Sequence, residues 1–249
     1  MLRGLYTGAA GMMMEMTQIN VISNNMANVN TAGYKKDETV VKEFESMMLR
    51  RINDGVVEPE IGELGKGSIV DDIRTIPEQG SIRRTGNTYD LCIEGPGYFA
   101  VETPRGERYT RNGAFTRSAE GELVTMEGMR VLGQNGRPVQ IPDGTEVTFG
   151  AQGEITVDGE QVDTLRFVEF EDPLTLLKEG ENLYMAQENL RGGPATGVIA
   201  QGALEASNVN IVSEMIKMIS AQRAYETNAK TVTTQDNLLD KAVNEVGRV

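Results

Sequence analysis

A glycine–lysine pair, Gly65-Lys66, lies inside "GELGKGSIV" (62–70), the stretch of this chain nearest to a phosphate-binding loop. Such a loop needs a glycine five residues before the pair and a hydroxyl side chain directly after the lysine. Glu60 and Gly67 hold those places, and no apolar strand leads in, so nucleotide chemistry is not written here. "EGPGYF" (94–99) is too short for a dinucleotide fingerprint and reads as a turn entering a strand. The carboxylates of "EFEDP" (169–173) could attract a cation, yet they lack the alternating ligands of a calcium loop and read as solvated surface. Met12, Met13, Met14 and Met16 could offer thioethers to copper, but Met12 and Met16 fall on helical rows, so packing is their role. Histidine is absent, which removes the commonest general base and metal ligand. Cys92 is the single cysteine, so no intramolecular disulfide and no cysteine cluster can form; in "TYDLCIEG" it reads as filler on one side of a strand. No nucleophile, base and oxyanion donor assemble. The expectation is a chain that is not an enzyme, with no cofactor and no metal.

The residues that do recur in a pattern are asparagines. Asn24, Asn25, Asn28 and Asn30 crowd "SNNMANVNTAGYKKD" (23–37), and Asn208 and Asn210 echo them in "EASNVNIV". Asparagine is an indifferent helix former because its amide competes for backbone hydrogen bonds. Both groups nevertheless adjoin the longest apolar stripes. Leu2, Ala9 and Met16, with Leu5, Met12, Ile19 and Met26, recur every seven residues at the start. Ile211, Met218, Tyr225, Val232, Leu239 and Val246 do the same near the end, with a companion row of Met215, Gln222, Ala229, Asp236 and Val243. These are the two rows of a heptad. No Gly or Pro occurs from Ala203 to Val246, so the pattern predicts a helix of some forty residues, a length natural to a coiled coil.

Gly4, Gly8 and Gly11 lie close to one face of the first helix, each at a cost of about 1 kcal/mol relative to alanine. Small residues let another helix approach, which offsets that cost only in a packed assembly. Charge points the same way. The net charge is −13, yet residues 1–34 carry only Arg3 and Glu15, and residues 207–249 carry five acids and five bases. Both ends are neutral, and packing between subunits explains that best. The acidic middle argues against nucleic acid or an anionic membrane as a partner. No run of eighteen apolar residues exists, and the opening apolar stretches are broken by Thr7, Glu15 and Thr17, unlike a secretory signal.

Between the ends, Val40, Val41, Phe44, Met47 and Met48 predict a short helix stopped at Asn53-Asp54-Gly55, and residues 56–80 read as extended. From about 81 to 200, short β-branched or aromatic runs alternate with glycine. Asp158-Gly159 between "EITV" and "EQV" is a strong hairpin signal, and Arg105-Gly106 a weaker one. The fold class expected is α+β: long terminal helices forming a coiled-coil-like domain, with an inserted, mainly antiparallel β domain. The boundaries expected are 1–34 and 205–249 for the helical assembly domain, 35–80 for a connecting segment, and 81–204 for the β domain.

"SNNMANVNTAGYKKD", preceded by "MLRGLYTGAAGM", closely resembles the N-terminal signature of the flagellar hook and basal-body rod family. "GALEASNVNIVSEMIKMISAQRAYETNAKTVTTQDNLL" resembles its C-terminal hallmark, and "DLCIEGPGYFAV" and "YTRNGAF" look like strands of its β domain. Met26 and Ala32 depart from the usual isoleucine or leucine and proline. The resemblance implies a structural subunit of the bacterial flagellar rod. It would be exported by the flagellum's own apparatus without cleavage and polymerised into a helical tube, with itself and neighbouring rod and hook proteins as partners. Carried onto this chain, the signature falls on Asn24, Asn25, Ala27, Asn28, Asn30, Thr31, Gly33 and Tyr34, and on Ser207, Asn208, Val209 and Asn210. The first asparagines with Thr31 would end the first helix, Gly33 would allow the following turn, and Asn208 or Asn210 would cap the second helix. Their amides could also bond neighbouring subunits without adding charge. A secreted β-domain adhesin with coiled-coil ends is the alternative, and it predicts a specific ligand for the central domain.

Overall fold

Two long helices with few helix breakers are the first consequence of the terminal patterns. In the computed structural model, which describes residues 2–44, 47–50, 60–65, 67–144, 146–186 and 192–246, helix α1 runs Leu2–Ala27 and helix α2 runs Ile211–Lys241, ending in a π turn over Ala242–Val246. Asn210 caps α2: its Oδ1 accepts from the N–H groups of Val212 and Ser213, both at 3.1 Å. The chain divides into two compact units, one of residues 1–26, 37–74 and 210–249, the other of residues 27–36 and 75–209.

In the helical unit α1 and α2 pack antiparallel. Gly4, Gly8 and Gly11 face Gln235, Val232 and Asn228 in turn, and Asn25 meets Glu214. The glycines permit this approach: a methyl group on Gly8 would sit 2.9 Å from Val232 Cγ2, and one on Gly11 2.7 Å from Asn228 Nδ2. The glycine face therefore packs against the chain's own second helix.

The expected short helix over residues 40–48 is not formed. Asp37–Glu43 is a strand paired with Ser68–Thr75, and Met47–Arg50 pairs antiparallel with Glu60–Leu64. The spacing of Val40, Phe44 and Met47 fits a helix, but Thr39-Val40-Val41 is a β-branched run, stiff at χ1 and better suited to a pleated ribbon. A matching run at Ile69-Val70 supplies the partner strand. Residues 60–64 and 68–75 bear out the extended reading there, while Asn53-Asp54-Gly55 lies outside the described residues.

The other unit is antiparallel β. Its nine-stranded sheet centres on Tyr98–Thr103, paired with Gly106–Thr110, with Arg130–Val131 and with Phe167–Glu169. The central strand is buried on both faces. Phe99 and Val101 join a core with Leu91, Ile93, Phe115 and Leu123, while Tyr98 and Ala100 join a second cluster with Tyr109, Phe170 and Tyr184. That split follows from the period of two along a strand. Both hairpin signals are borne out. Asp158 and Gly159 (φ 51° and 88°) join Glu154–Val157 to Glu160–Thr164, and the turn at Pro104-Arg105 joins Tyr98–Thr103 to Gly106–Thr110. Leu91, Cys92 and Ile93 are all fully buried, so Cys92 fills a core position on a strand covered on both sides.

Candidate assembly surface

The faces that α1 and α2 turn to each other coincide only in part with their apolar rows. On α1 the contact is made by Gly4, Gly8 and Gly11, with Glu15, Ile22 and Asn25 buried further along. On α2 it is made by Glu214, Ala221, Asn228 and Gln235, one residue before the companion row read from the sequence, together with Met218 and Val232. Most of the seam is small or polar, so a search for apolar residues catches Met218 and Val232 and misses the rest.

The apolar rows lie beside that seam. Leu5, Met12, Ile19 and Met26 are half-buried, as are Met218, Val232 and Leu239, whereas Met16, Ile211 and Tyr225 are exposed. Tyr6 and Met13 on α1 are 70% and 73% exposed, and on α2 Val212, Met215, Ile216 and Ile219 are each at least half exposed. Spaced 3, 1 and 3 apart, those four make one continuous apolar stripe on the first turns of α2. Leu2 and Val246, the outermost heptad positions, close the helical segments at either end.

The signature asparagines hold the chain's own backbone. α1 continues through Asn24 and Asn25 to Ala27, so these two residues lie inside its last turns instead of ending it. Asn25 is buried, and its amide donates to the Asp37 carbonyl at 2.8 Å and accepts from the Asp37 N–H at 2.9 Å. The turn after the helix belongs to Asn28 and Thr31: the Thr31 N–H and hydroxyl both reach Asn28, at the carbonyl and at Oδ1. Asn30 is exposed. Gly33 has φ 66°, and a methyl group there would lie 2.4 Å from the Arg111 backbone, so the expected need for glycine is met twice. Tyr34 is buried under the Lys178 ammonium, 3.9 Å above its ring centre. Asn208 accepts from the Lys36 N–H at 2.7 Å and donates to the Ile76 carbonyl at 3.0 Å; Ser207 Oγ accepts from the N–H of the buried Val209.

Charges that sequence reasoning passed over are buried nearby. Glu205 accepts from Lys35 Nζ at 2.5 Å, Arg111 Nε at 3.1 Å and the Gly80 N–H at 2.9 Å. Lys35 Nζ also donates to the Glu78 carbonyl, and Arg111 to the carbonyls of Gly95 and Gly97. Burial pushes the Lys35 ammonium below the usual lysine range, opposed by Glu205. Lys35 and Glu205 both lie inside the signature stretches, but nothing in their spacing pairs positions 170 residues apart. Among the described residues no group of three or more His, Cys, Asp or Glu is placed to hold a metal ion, and no helix is long and apolar enough to cross a membrane.

Comparison with known proteins finds three family matches along the chain. They are the flagella basal body rod protein family over residues 5–35, the flagellar hook protein FlgE/F/G D1 domain over 92–157, and the flagellar basal body rod FlgEFG protein C-terminal family over 200–245. Whole-chain relatives agree. The flagellar basal-body rod protein FlgG of Bacillus subtilis is 37% identical, over 98% of this chain and 99% of its own. FlgF of Caulobacter vibrioides is 35% identical, over 98% of each, and FlgG of Agrobacterium fabrum is 35% identical, over 95% and 97%. With helices at both ends, an antiparallel β unit between them and relatives that match from end to end, this chain belongs to the flagellar rod and hook protein family and is a structural subunit.

Proposed function

We propose that the chain is a subunit of the flagellar rod, polymerised outside the cytoplasmic membrane into a helical axial tube that transmits rotation. One observation carries this reading: after α1 and α2 have paired through their mostly small or polar seam, apolar side chains on both helices stay exposed. Apolar side chains left exposed on both helices, the first of which carries only two charges over residues 1–34, mark a site of protein association. In this reading residues 1–34 and 205–249 form the assembly domain, 35–80 the connecting segment and 81–204 the β domain. The signature residues Asn24 to Tyr34 and Ser207 to Asn210 hold the subunit in its assembly-competent form. Neighbouring copies and other rod or hook proteins cover the exposed rows, and the flagellum's own export apparatus delivers the subunit. The net charge of −13 fits a protein partner and not nucleic acid.

Electron microscopy and sedimentation of concentrated, purified full-length chain test the reading. Wild type forms elongated assemblies, while Met13→Asp and Val212→Asp remain monomeric with unchanged circular dichroism. Asp variants that assemble like wild type overturn it.

A further inference from the structure

Beside the α1–α2 seam lies a cavity of about 670 Å³ within the helical unit. Four carboxylates line it, Glu15, Asp37, Glu38 and Glu214, against one base, Lys217. Lys217 is already engaged, with Nζ 3.0 Å from Glu214 and 3.4 Å from Glu38. Glu214 also accepts from Asn25 at 3.3 Å. Glu15 is different. It is 9% exposed and, among the described residues, no hydrogen-bond donor or cation reaches its carboxylate. Burial alone acts on it, raising its pKa. A carboxylate on a side chain this buried is normally paired, and this one faces the cavity without a partner among the described residues.

We infer that Glu15 is the socket for a basic side chain of a second copy of this chain, and that Arg223 is the side chain that enters it. The inference rests on the polymer reading above and adds the ionic contact that fixes how copies dock. Of the bases on the helical unit, Lys42, Arg74 and Lys217 have acidic partners in their own chain. Among the described residues, Arg223, Lys230 and Lys241 on α2 have none. Ile216 belongs both to the cavity lining and to the exposed stripe. Arg223 follows Ile219 by four residues and Ile216 by seven, so it continues that stripe, roughly 10 Å beyond Ile216. Lys230 is about twice as far. A copy that lays its stripe along the cavity rim thus carries a guanidinium toward the unpaired carboxylate, and arginine's planar fork matches a carboxylate with two parallel hydrogen bonds.

The test is the critical concentration for assembly of the full chain, measured by sedimentation for wild type, Glu15→Gln, Arg223→Gln and the double variant. Each single change should raise it about tenfold or more, and the double variant no further than the worse single, because both remove one contact. The monomer of Glu15→Gln should melt no lower than wild type, since no partner within the chain is lost. Effects that multiply in the double variant, or a monomer that melts lower, overturn the inference. A wild type that assembles beside an unaffected Glu15→Gln overturns the inference alone. A wild type that never assembles overturns the polymer reading, and this inference with it.

Discussion

Replacing Glu205 by glutamine removes the one anion between two buried cations. Its carboxylate receives Lys35, Arg111 and the Gly80 N–H, and the three side chains are at most 5% exposed. Glutamine keeps the shape but turns one oxygen into an N–H₂ donor, which must face another donor on one side or the other. Breaking a buried pair in this way costs about 3–5 kcal/mol, a large share of the 5–15 kcal/mol typical of a domain. Urea unfolding followed by near-UV circular dichroism reads it, because Tyr98, Tyr109 and Tyr184 are packed in one aromatic cluster. At a typical slope of about 1–3 kcal/mol per molar urea, the midpoint should fall by roughly 1–5 M. Lys35→Met should cost less, since Glu205 then keeps Arg111 and Gly80. A shift of about 0.5 M or less for Glu205→Gln, the scale of an exposed pair, or the reverse order of the two variants, would refute the reasoning.

Gly33→Ala should destabilise the β unit by about 1–3 kcal/mol or more, because it adds a clash with the Arg111 backbone to a left-handed φ. Gly128→Ala, at φ 86° with open space around it, isolates the conformational part at about 1 kcal/mol, and equal midpoints for the two would sink the clash argument. Burial pushes the Cys92 thiol up to about 11, so at pH 8 the folded chain should alkylate at least about a hundredfold more slowly than the urea-unfolded chain; comparable rates would mean the strand opens. Burial also raises the Glu15 pKa above its unfolded value, so the folded state binds the proton more tightly. The penalty for ionising Glu15 is present above the folded pKa and is relieved as pH falls through it. The wild-type monomer should therefore lose less stability than Glu15→Gln on acidification from neutrality, against a shared background from Asp37, Glu38 and Glu214; parallel pH profiles would contradict this.

Where local chemistry decides, the sequence was readable. Asp158-Gly159 takes positive φ at both positions, the geometry of a two-residue hairpin turn, so the dipeptide between strand-like runs signalled the hairpin locally. Asn210 caps because its backbone is extended and its short side-chain oxygen reaches the N–H groups of Val212 and Ser213. Where the outcome depends on a distant partner, the pattern misled. The segment from Val40 to Met48 looked helical by spacing, yet residues 37–43 and 47–50 are strands because residues 68–75 and 60–64 supply their ladders. Most of the α1–α2 seam escaped an apolar search, since the three glycines on one side are met by Gln235, Val232 and Asn228 on the other, and only Val232 of these is apolar. The Lys35–Glu205–Arg111 network joins three segments far apart in the chain, and no periodicity announces it.

Two of the asparagines, Asn25 and Asn208, have their cause at Lys36 and Asp37, where the chain passes from one unit to the other. Two consecutive residues carry two N–H and two C=O groups, and each group needs a partner if it is withdrawn from water. The Lys36 carbonyl accepts from the Ile76 N–H at 2.9 Å, an ordinary backbone bond. The other three are met by side-chain amides: Asn208 takes the Lys36 N–H, and Asn25 takes both the N–H and the C=O of Asp37. Each amide stands in for a peptide group of an adjacent strand. Aspartate could not, because an ionised carboxylate has nothing to donate to a carbonyl, and at position 25 it would face Glu214, 3.3 Å from the Asn25 nitrogen. Glutamine has the groups but one more rotor to freeze. Serine and threonine have a single hydroxyl and cannot span an N–H and a C=O as an amide does. Asparagine is the shortest neutral side chain that donates and accepts in one plane, which is why it stands at positions 25 and 208.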